Sequence, residues 1–191
     1  GDLVNSARRE EYEILREILT EFEMPVYLLP GNHDDCSLLR EMFPDHDYLP
    51  KEGKLNFVVE GWPLKLICLD TNIHGKPQGR LGPEQLAWLD QELARDTDRP
   101  AVILLHHPPF KTGLVSMDEM GLLDMAVFEE VVARHDHVER ILCGHLHRGI
   151  QKLVGGTLTQ TCPSTSHQVR LLLGENNALG TVFEPPEYLL H

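Results

Sequence analysis

The chain has 191 residues, of which 41% are hydrophobic and 25% charged, enough for one globular domain with a real core. A formal net charge of −13 argues against nucleic acid and anionic membranes as partners, and no apolar run reaches bilayer length. An anionic substrate would need local positive charge, which bound metal cations can supply.

In chain order, Gly1-Asp2-Leu3-Val4-Asn5 reads as the end of a strand. Ser6 is placed to cap a helix over residues 7–23, where Leu15, Ile18, Leu19 and Phe22 follow the helical period. Val26 to Leu29 is a short apolar run of strand character. Pro30 and Gly31 stop it, and Asn32, His33 and Asp34 stand at its tip. A short helix from about Ser37 to Phe43 follows, with Asp34 or Asp35 as its N-cap. Residues 45–53 are irregular, and His46 among acids reads as a surface residue. Residues 55–60 and 64–70 read as two strands joined by Gly61-Trp62-Pro63. Asp70 reads as structural, and His74 in the loop 72–82 has no assigned role. Pro83 opens a helix over residues 83–95, with Leu86, Leu89 and Leu93 inward and Trp88 packing.

Ala101 to Leu105 is a continuous apolar run, the pattern of a strand buried on both faces, and it ends in His106-His107-Pro108-Pro109. Residues 110–122 form a loop with the character of a lid. Asp124 begins a helix to about Arg134, and His135 and His137 complement its C-terminal dipole. Val138 to Cys143 is a second buried strand, ending in Gly144-His145-Leu146-His147. Residues 149–154 and 157–162 form a hairpin about Gly155-Gly156. Strands are expected at 169–173 and 179–183, with a last one in the tail 185–191. The four cysteines contain no Cys-x-x-Cys pair, and Cys68 and Cys143 fall inside apolar strands. Free thiols of this kind suit a reducing compartment, so a cytoplasmic location is expected.

The 11 histidines carry the functional signal. Asn32-His33-Asp34, His106-His107 and His145-Leu146-His147 each follow a strand, and Asp2 ends another. In α/β architectures ligands bind at the carboxyl ends of strands. Caps alone do not explain four such tips. Asp, Asn and His without Cys suit a divalent ion such as Mn, Fe, Zn or Co, not a thiolate cluster. On an extended segment His145 and His147 would share a face about 7 Å apart, able to address two ions about 3.5–4 Å apart. A carboxylate such as Asp2 can bridge two ions, and an Asn carbonyl completes a site without adding charge.

Taken together these motifs resemble the calcineurin-like metallophosphoesterases, and among them the bacterial class III cyclic-nucleotide phosphodiesterases and their glycerophosphodiesterase relatives. The likeness rests on Gly1 to Asn5 with Glu11-Tyr12, Pro30 to Asp35, His106 to Pro109, Gly144 to His147 and Pro163 to Val169. It implies an α/β (α+β) fold, a four-layer β-sandwich flanked by helices, spanning residues 1–191 as one domain with two metals at one edge. It also implies that Asp2 bridges the metals, that Asn32, His106 and His145 complete one position, and that His147 belongs to the other. His107 then supports or packs. His33 matches the family histidine that protonates the leaving oxygen beside the phosphate, and His167 a histidine near the phosphate. The implied reaction is metal-dependent hydrolysis of a small phosphodiester.

One departure stands out. The family's first strand carries Asp-x-His, and only Gly1 precedes Asp2 here. The expectation is therefore that the first strand is missing. The metal position at His147 would then be short of ligands, and the chain alone a weak catalyst. The neighbouring edge would be either exposed or covered by a second subunit, the latter giving a homo-oligomer. The rival readings are a phosphomonoesterase on the same scaffold and a metal-poor binding or regulatory module.

Overall fold

A computed structural model of the chain describes residues 1–173 and 178–191. In chain order the elements are α1 Arg9–Leu19, α2 Cys36–Met42, β1 Phe57–Val59, β2 Lys65–Leu69, α3 Pro83–Ala94, β3 Ala101–Leu105, α4 Val115–Asp118, α5 Met125–Val132, β4 Val138–Cys143, β5 Gln151–Val154, β6 Thr157–Thr161, β7 Gln168–Val169 and β8 Thr181–Val182. Six strands form a central sheet in the order β1-β2-β3-β4-β6-β5, and β7 pairs with β8 in a separate ribbon. The architecture is mixed α/β. A second layer of sheet is represented, among the described residues, by that ribbon alone.

The apolar run 101–105 lies at the centre of the sheet, as its composition requires, beside 138–143, whose Val138, Ile141 and Cys143 are buried while Glu139 and Arg140 are exposed. One face of the sheet is covered by α3 and α5, with Leu89, Leu93, Phe128 and Val132 packed on Ile67, Ile103 and Ile141. On the other face Tyr12, Leu39, Phe43 and Leu55 pack with Phe57 and Cys68.

Strands β2, β3, β4 and β6 run parallel, with Leu69 opposite Leu105, Leu105 opposite Cys143 and Cys143 opposite Thr161. The four strands therefore stop on one line across the sheet. The next residues, Asp70, His106, Gly144 and Cys162, begin the loops of a single edge.

Several local expectations are corrected. The α1 helix is capped from within. The Glu11 carboxylate accepts from the N–H groups of Ser6, at 2.9 Å, and Arg8, at 3.2 Å, and the Ser6 hydroxyl does not cap. Its inward residues are Tyr12, Leu15 and Leu19, while Ile18 and Phe22 are 53% and 51% exposed. Residues 26–29 have no ladder partner among the described residues, and the Leu28 N–H donates instead to the Tyr48 hydroxyl at 2.6 Å. His46 is not a plain surface residue, because its ring packs 5.2 Å from Phe43 and 5.3 Å from Tyr48. Loop 110–122 is no loose lid. The Asp118 carboxylate accepts from Thr112 N–H, Thr112 hydroxyl and Gly113 N–H, and Leu114 and Met117 pack on Leu146. Among the described residues, strand pairing near the C-terminus is limited to β7 and β8. Residues 185–191 hold no strand, and the Glu187 N–H donates to the Ser164 carbonyl at 3.1 Å.

Candidate active site

The edge where the parallel strands stop gathers residues far apart in sequence. Asn32 Oδ1 lies 3.1 Å from His106 Nε2 and 2.9 Å from His145 Nδ1. Asp2 Oδ2 lies 3.1 Å from the same His106 nitrogen. The three tips and the Asp2 turn thus meet around one point. His106 and His145 are 2% and 7% exposed, so the point is walled off from bulk water on the side of the sheet.

His33 sits beside this point and faces out. Its N–H donates to Asp2 Oδ1 at 3.0 Å, and its ring Nδ1 is 2.7 Å from the Asn5 carbonyl. A carbonyl can only accept, so Nδ1 carries the proton of that bond and Nε2 is left free. The same logic applies to His147, whose Nδ1 is 2.8 Å from the His167 carbonyl. An imidazole held this way presents Nε2 with a fixed orientation. The His147 and His167 rings are 4.7 Å apart, and His167 places its own Nδ1 3.4 Å from the Ser166 hydroxyl. Asp2, His106, His145 and His147 line a cavity of about 420 Å³, together with Ser164 and Thr165.

Asp2, His145 and His147 all hold positive φ, at 53°, 68° and 50°. Left-handed backbone is costly for residues with a side chain, and such strain collects where a fold must aim a group.

His106, His107 and His145 each place a nitrogen within 4.8 Å of the others, a cluster able to hold a metal ion. The hydrogen bonds separate His107 from the other two. Its Nδ1 is 2.8 Å from the Thr71 hydroxyl and its Nε2 is 3.1 Å from the Pro77 carbonyl. Nε2 must donate to that carbonyl, so Nδ1 accepts from Thr71 and no lone pair is left. His107 instead packs its ring 4.8 Å from His106 and 4.6 Å from His145.

Two further groups hold the tips: Asp34, read from the sequence as part of its tip or a helix cap, and the Asp70 triplet, of which Thr71 and Asn72 were not singled out. Asp34 accepts from Leu3 N–H with both carboxylate oxygens, at 3.1 and 3.0 Å, from Gly31 N–H at 2.8 Å and from the Tyr12 hydroxyl at 3.1 Å. Asp34 thereby ties the Asp2 turn to the Asn32 tip. Behind the tip lie Asp70, Thr71 and Asn72, which are 1%, 0% and 5% exposed. The available signal was position: they are a polar triplet directly after an apolar strand, as at the other tips. Asp35 caps α2 through Ser37 and Leu38 N–H and lies 3.8 Å from the exposed His74 ring, while His135 pairs with Asp90 of α3.

Electrostatics suit the arrangement to a cation. Burial disfavours the charged form of Asp2, yet the His106 hydrogen bond and charge, with the His33 N–H, hold its carboxyl well below the usual carboxylate range. Burial pushes His106 down, and Asp2 restores only part of the loss. Burial, then the neighbouring imidazoles, push His107 down to about 2 and His145 to about 3. Burial and His167 lower His147. At neutral pH the edge therefore carries a carboxylate, an amide oxygen and neutral imidazoles, the protonation states a divalent ion requires.

With this edge in view, the chain belongs to the calcineurin-like phosphoesterase family, whose profile matches residues 1–149. A probable glycerophosphodiester phosphodiesterase of Arcobacter nitrofigilis is 33% identical over 192 residues, covering 100% of this chain and 70% of the relative. The 3′,5′-cyclic adenosine monophosphate phosphodiesterase of Escherichia coli K12 is 32% identical over 170 residues, covering 89% of this chain and 60% of the relative. The chain thus spans 60% to 70% of the length of these relatives. A dimetal phosphatase from Danio rerio shares the fold, with a TM-score of 0.63, 14% identity and coverage of 81% of this chain and 65% of that one.

Proposed function

We propose that the chain is a metal-dependent phosphodiester hydrolase acting on cyclic nucleotides or glycerophosphodiesters. The observation that carries this reading is the meeting of Asp2, Asn32, His106 and His145 around one point with His33 and His147 at its margins. The relatives' names supply the two substrate classes. Asn32, His106, His145 and Asp2 would hold one divalent ion, and His147 with Asp2 would contribute to a second. The mixed oxygen and nitrogen donors suit Mn, Fe, Zn or Co. Bound there, the ions supply charge neutralisation for the phosphate and an acidified water.

The chain's own residues do the rest. Asp2 fixes the His33 backbone, and Asn5 fixes its ring. For the acid role His33 must carry a second proton, on Nε2; that proton passes to the leaving alkoxide while the Nδ1 proton stays hydrogen-bonded to the Asn5 carbonyl. His167, whose ring packs against His147, would contact the substrate phosphate. The net charge of −13 disfavours nucleic acid as a substrate. Among the described residues no helix is long and apolar enough to cross a membrane, and the free cysteines suit the cytoplasm.

The test is to supply Mn²⁺ and compare bis(p-nitrophenyl) phosphate with p-nitrophenyl phosphate. Metal-dependent turnover should favour the diester in kcat/KM. A preference for the monoester would make this a phosphatase, and no metal-dependent turnover of either would leave a binding module.

A further inference from the structure

Asn72 projects from the end of β2 into the back of the Asn32–His33 tip. Its Nδ2 donates to the Gly31 carbonyl and, at 3.1 Å, to the Asp34 carbonyl. Both partners are obligate acceptors, so the amide nitrogen and not its oxygen must face them. Those two carbonyls are the ends of the turn whose middle residues are Asn32 and His33. Across the turn itself run a long backbone bond, Asp34 N–H to Gly31 carbonyl at 3.3 Å, and a bond from Gly31 N–H to the Asp34 carboxylate at 2.8 Å; neither holds the Asp34 carbonyl.

Asn72 is in turn held from the core. Its N–H donates to Asp70 Oδ1 at 2.8 Å, and the other Asp70 oxygen accepts from Leu55 N–H at 3.0 Å. Its carbonyl accepts from the Lys54 ammonium. The Asp70 carbonyl accepts from Gln85 of α3 at 2.7 Å. A rigid chain of hydrogen bonds therefore runs from the sheet and α3 to the tip.

We propose that Asn72 is a positioning residue for Asn32 and His33, its amide clipping the two ends of their turn so that one side chain points at His106 and His145 and the other is held on the Asn5 carbonyl beside Asp2. The part that concerns metal affinity rests on the hydrolase reading above. Asn72 touches neither substrate nor metal. It acts through the backbone of the tip.

Two variants separate hydrogen bonding from space filling. Asn72→Ala removes the amide and leaves a gap, whereas Asn72→Asp keeps the shape and turns an acceptor towards two carbonyls. At pH 8, hydrogen exchange of the Asp34 amide should quicken by about tenfold or more in Asn72→Ala, the weight of one to two hydrogen bonds. It should quicken further in Asn72→Asp, while β3 and β4 amides are unchanged in both. Mn²⁺ affinity, followed by loss of the free-ion resonance, should fall in the same order. A residue that merely fills space would give the reverse order, with Asn72→Asp close to the unmodified chain, and that result would overturn the proposal. So would unchanged exchange in both variants. If the unmodified chain binds no Mn²⁺, the metal reading fails, and the exchange order alone decides the role of Asn72. If neither variant folds, the Asn72 amide protons of the unmodified chain decide. Slow exchange supports the clip, and exchange as fast as an exposed asparagine removes it.

Discussion

The backbone N–H of His33 is bound to the carboxylate of Asp2 at 3.0 Å, so the proposed proton donor is carried on the proposed bridging ligand. Neither residue can shift without moving the other. The carboxylate accepts from His33 on one oxygen and faces His106 on the other, leaving both residues fixed by a single side chain.

This coupling sets apart the effects of the two residues. His33→Ala keeps the backbone bond to Asp2 and removes only the ring. Turnover of a diester with a poor leaving group should fall by roughly 10²–10⁴-fold, and turnover of one releasing p-nitrophenolate by much less. Equal losses on both substrates would leave His33 a phosphate-orienting role instead. Asp2→Ala should reduce both equally and weaken metal binding, which titration calorimetry with Mn²⁺ would register.

Gly31 is the point where the tip passes the Asp2 turn. A Cβ there would overlap the Asp2 carboxylate and its backbone nitrogen. Backbone cannot swing aside as a flexible side chain can. Gly31→Ala should therefore lower stability by about 1–3 kcal/mol, the usual cost of overpacking, and weaken Mn²⁺ binding. Chemical denaturation and metal titration on the same preparation check both. A stable variant with normal metal affinity would show that the two segments can separate.

Tyr12 stands under the Asp34 junction, with its hydroxyl donating to Asp34 Oδ1 and accepting from Asp35 N–H, both at 3.1 Å. Tyr12→Phe keeps the ring against Phe43 and strands a half-buried N–H. The expected loss is about 1–2 kcal/mol in unfolding free energy. A change below a few tenths would mean that water takes over the hydroxyl's place.

The metal-free chain should lose stability as pH falls below 6.5. His107 and His145 have folded values of about 2 and about 3 against an ordinary 6.5. Between 6.5 and about 3 the unfolded chain takes up protons at these positions and the native chain does not, so the unfolded state is favoured. The stability they contribute is full above 6.5 and shrinks as pH falls through that window. Asp2, depressed, adds to the loss further down, while Asp34, raised by burial, partly offsets it. Urea midpoints at pH 7.5, 6 and 5 with chelator present would show the decline. A flat profile would mean that the buried imidazoles protonate freely.

Much of the sheet was readable because run 101–105 is apolar throughout, the pattern of a strand buried on both faces, and because Ile141, Leu142 and Cys143 form a shorter apolar run at the end of 138–143. The His-bearing tips were readable because chemistry-bearing residues directly follow such runs. The run 26–29 misled for a related reason. Apolar residues can be extended, but a ladder also needs a neighbour, and local sequence does not specify one. On α1, Ile18 and Phe22 fit the helical period yet face outward, while Tyr12, buried completely, sits among Glu10, Glu11 and Glu13. Its burial depends on Asp34, 22 residues away. Thr71 and Asn72 are ordinary loop residues by type. Their importance comes from facing His107 and the Gly31 carbonyl, partners that only the folded sheet brings to them.

The left-handed backbone at Asp2, His145 and His147 makes this edge a poor choice for a chain judged on durability alone. Each such residue costs on the order of 1–3 kcal/mol, and glycine or asparagine would relieve most of it. A population of variants screened only for resistance to heat should therefore drift to glycine or asparagine at 145 and 147 and keep its fold. Screening for turnover should hold the histidines in place. The positions at which the two screens diverge would mark the catalytic edge without any ligand being added.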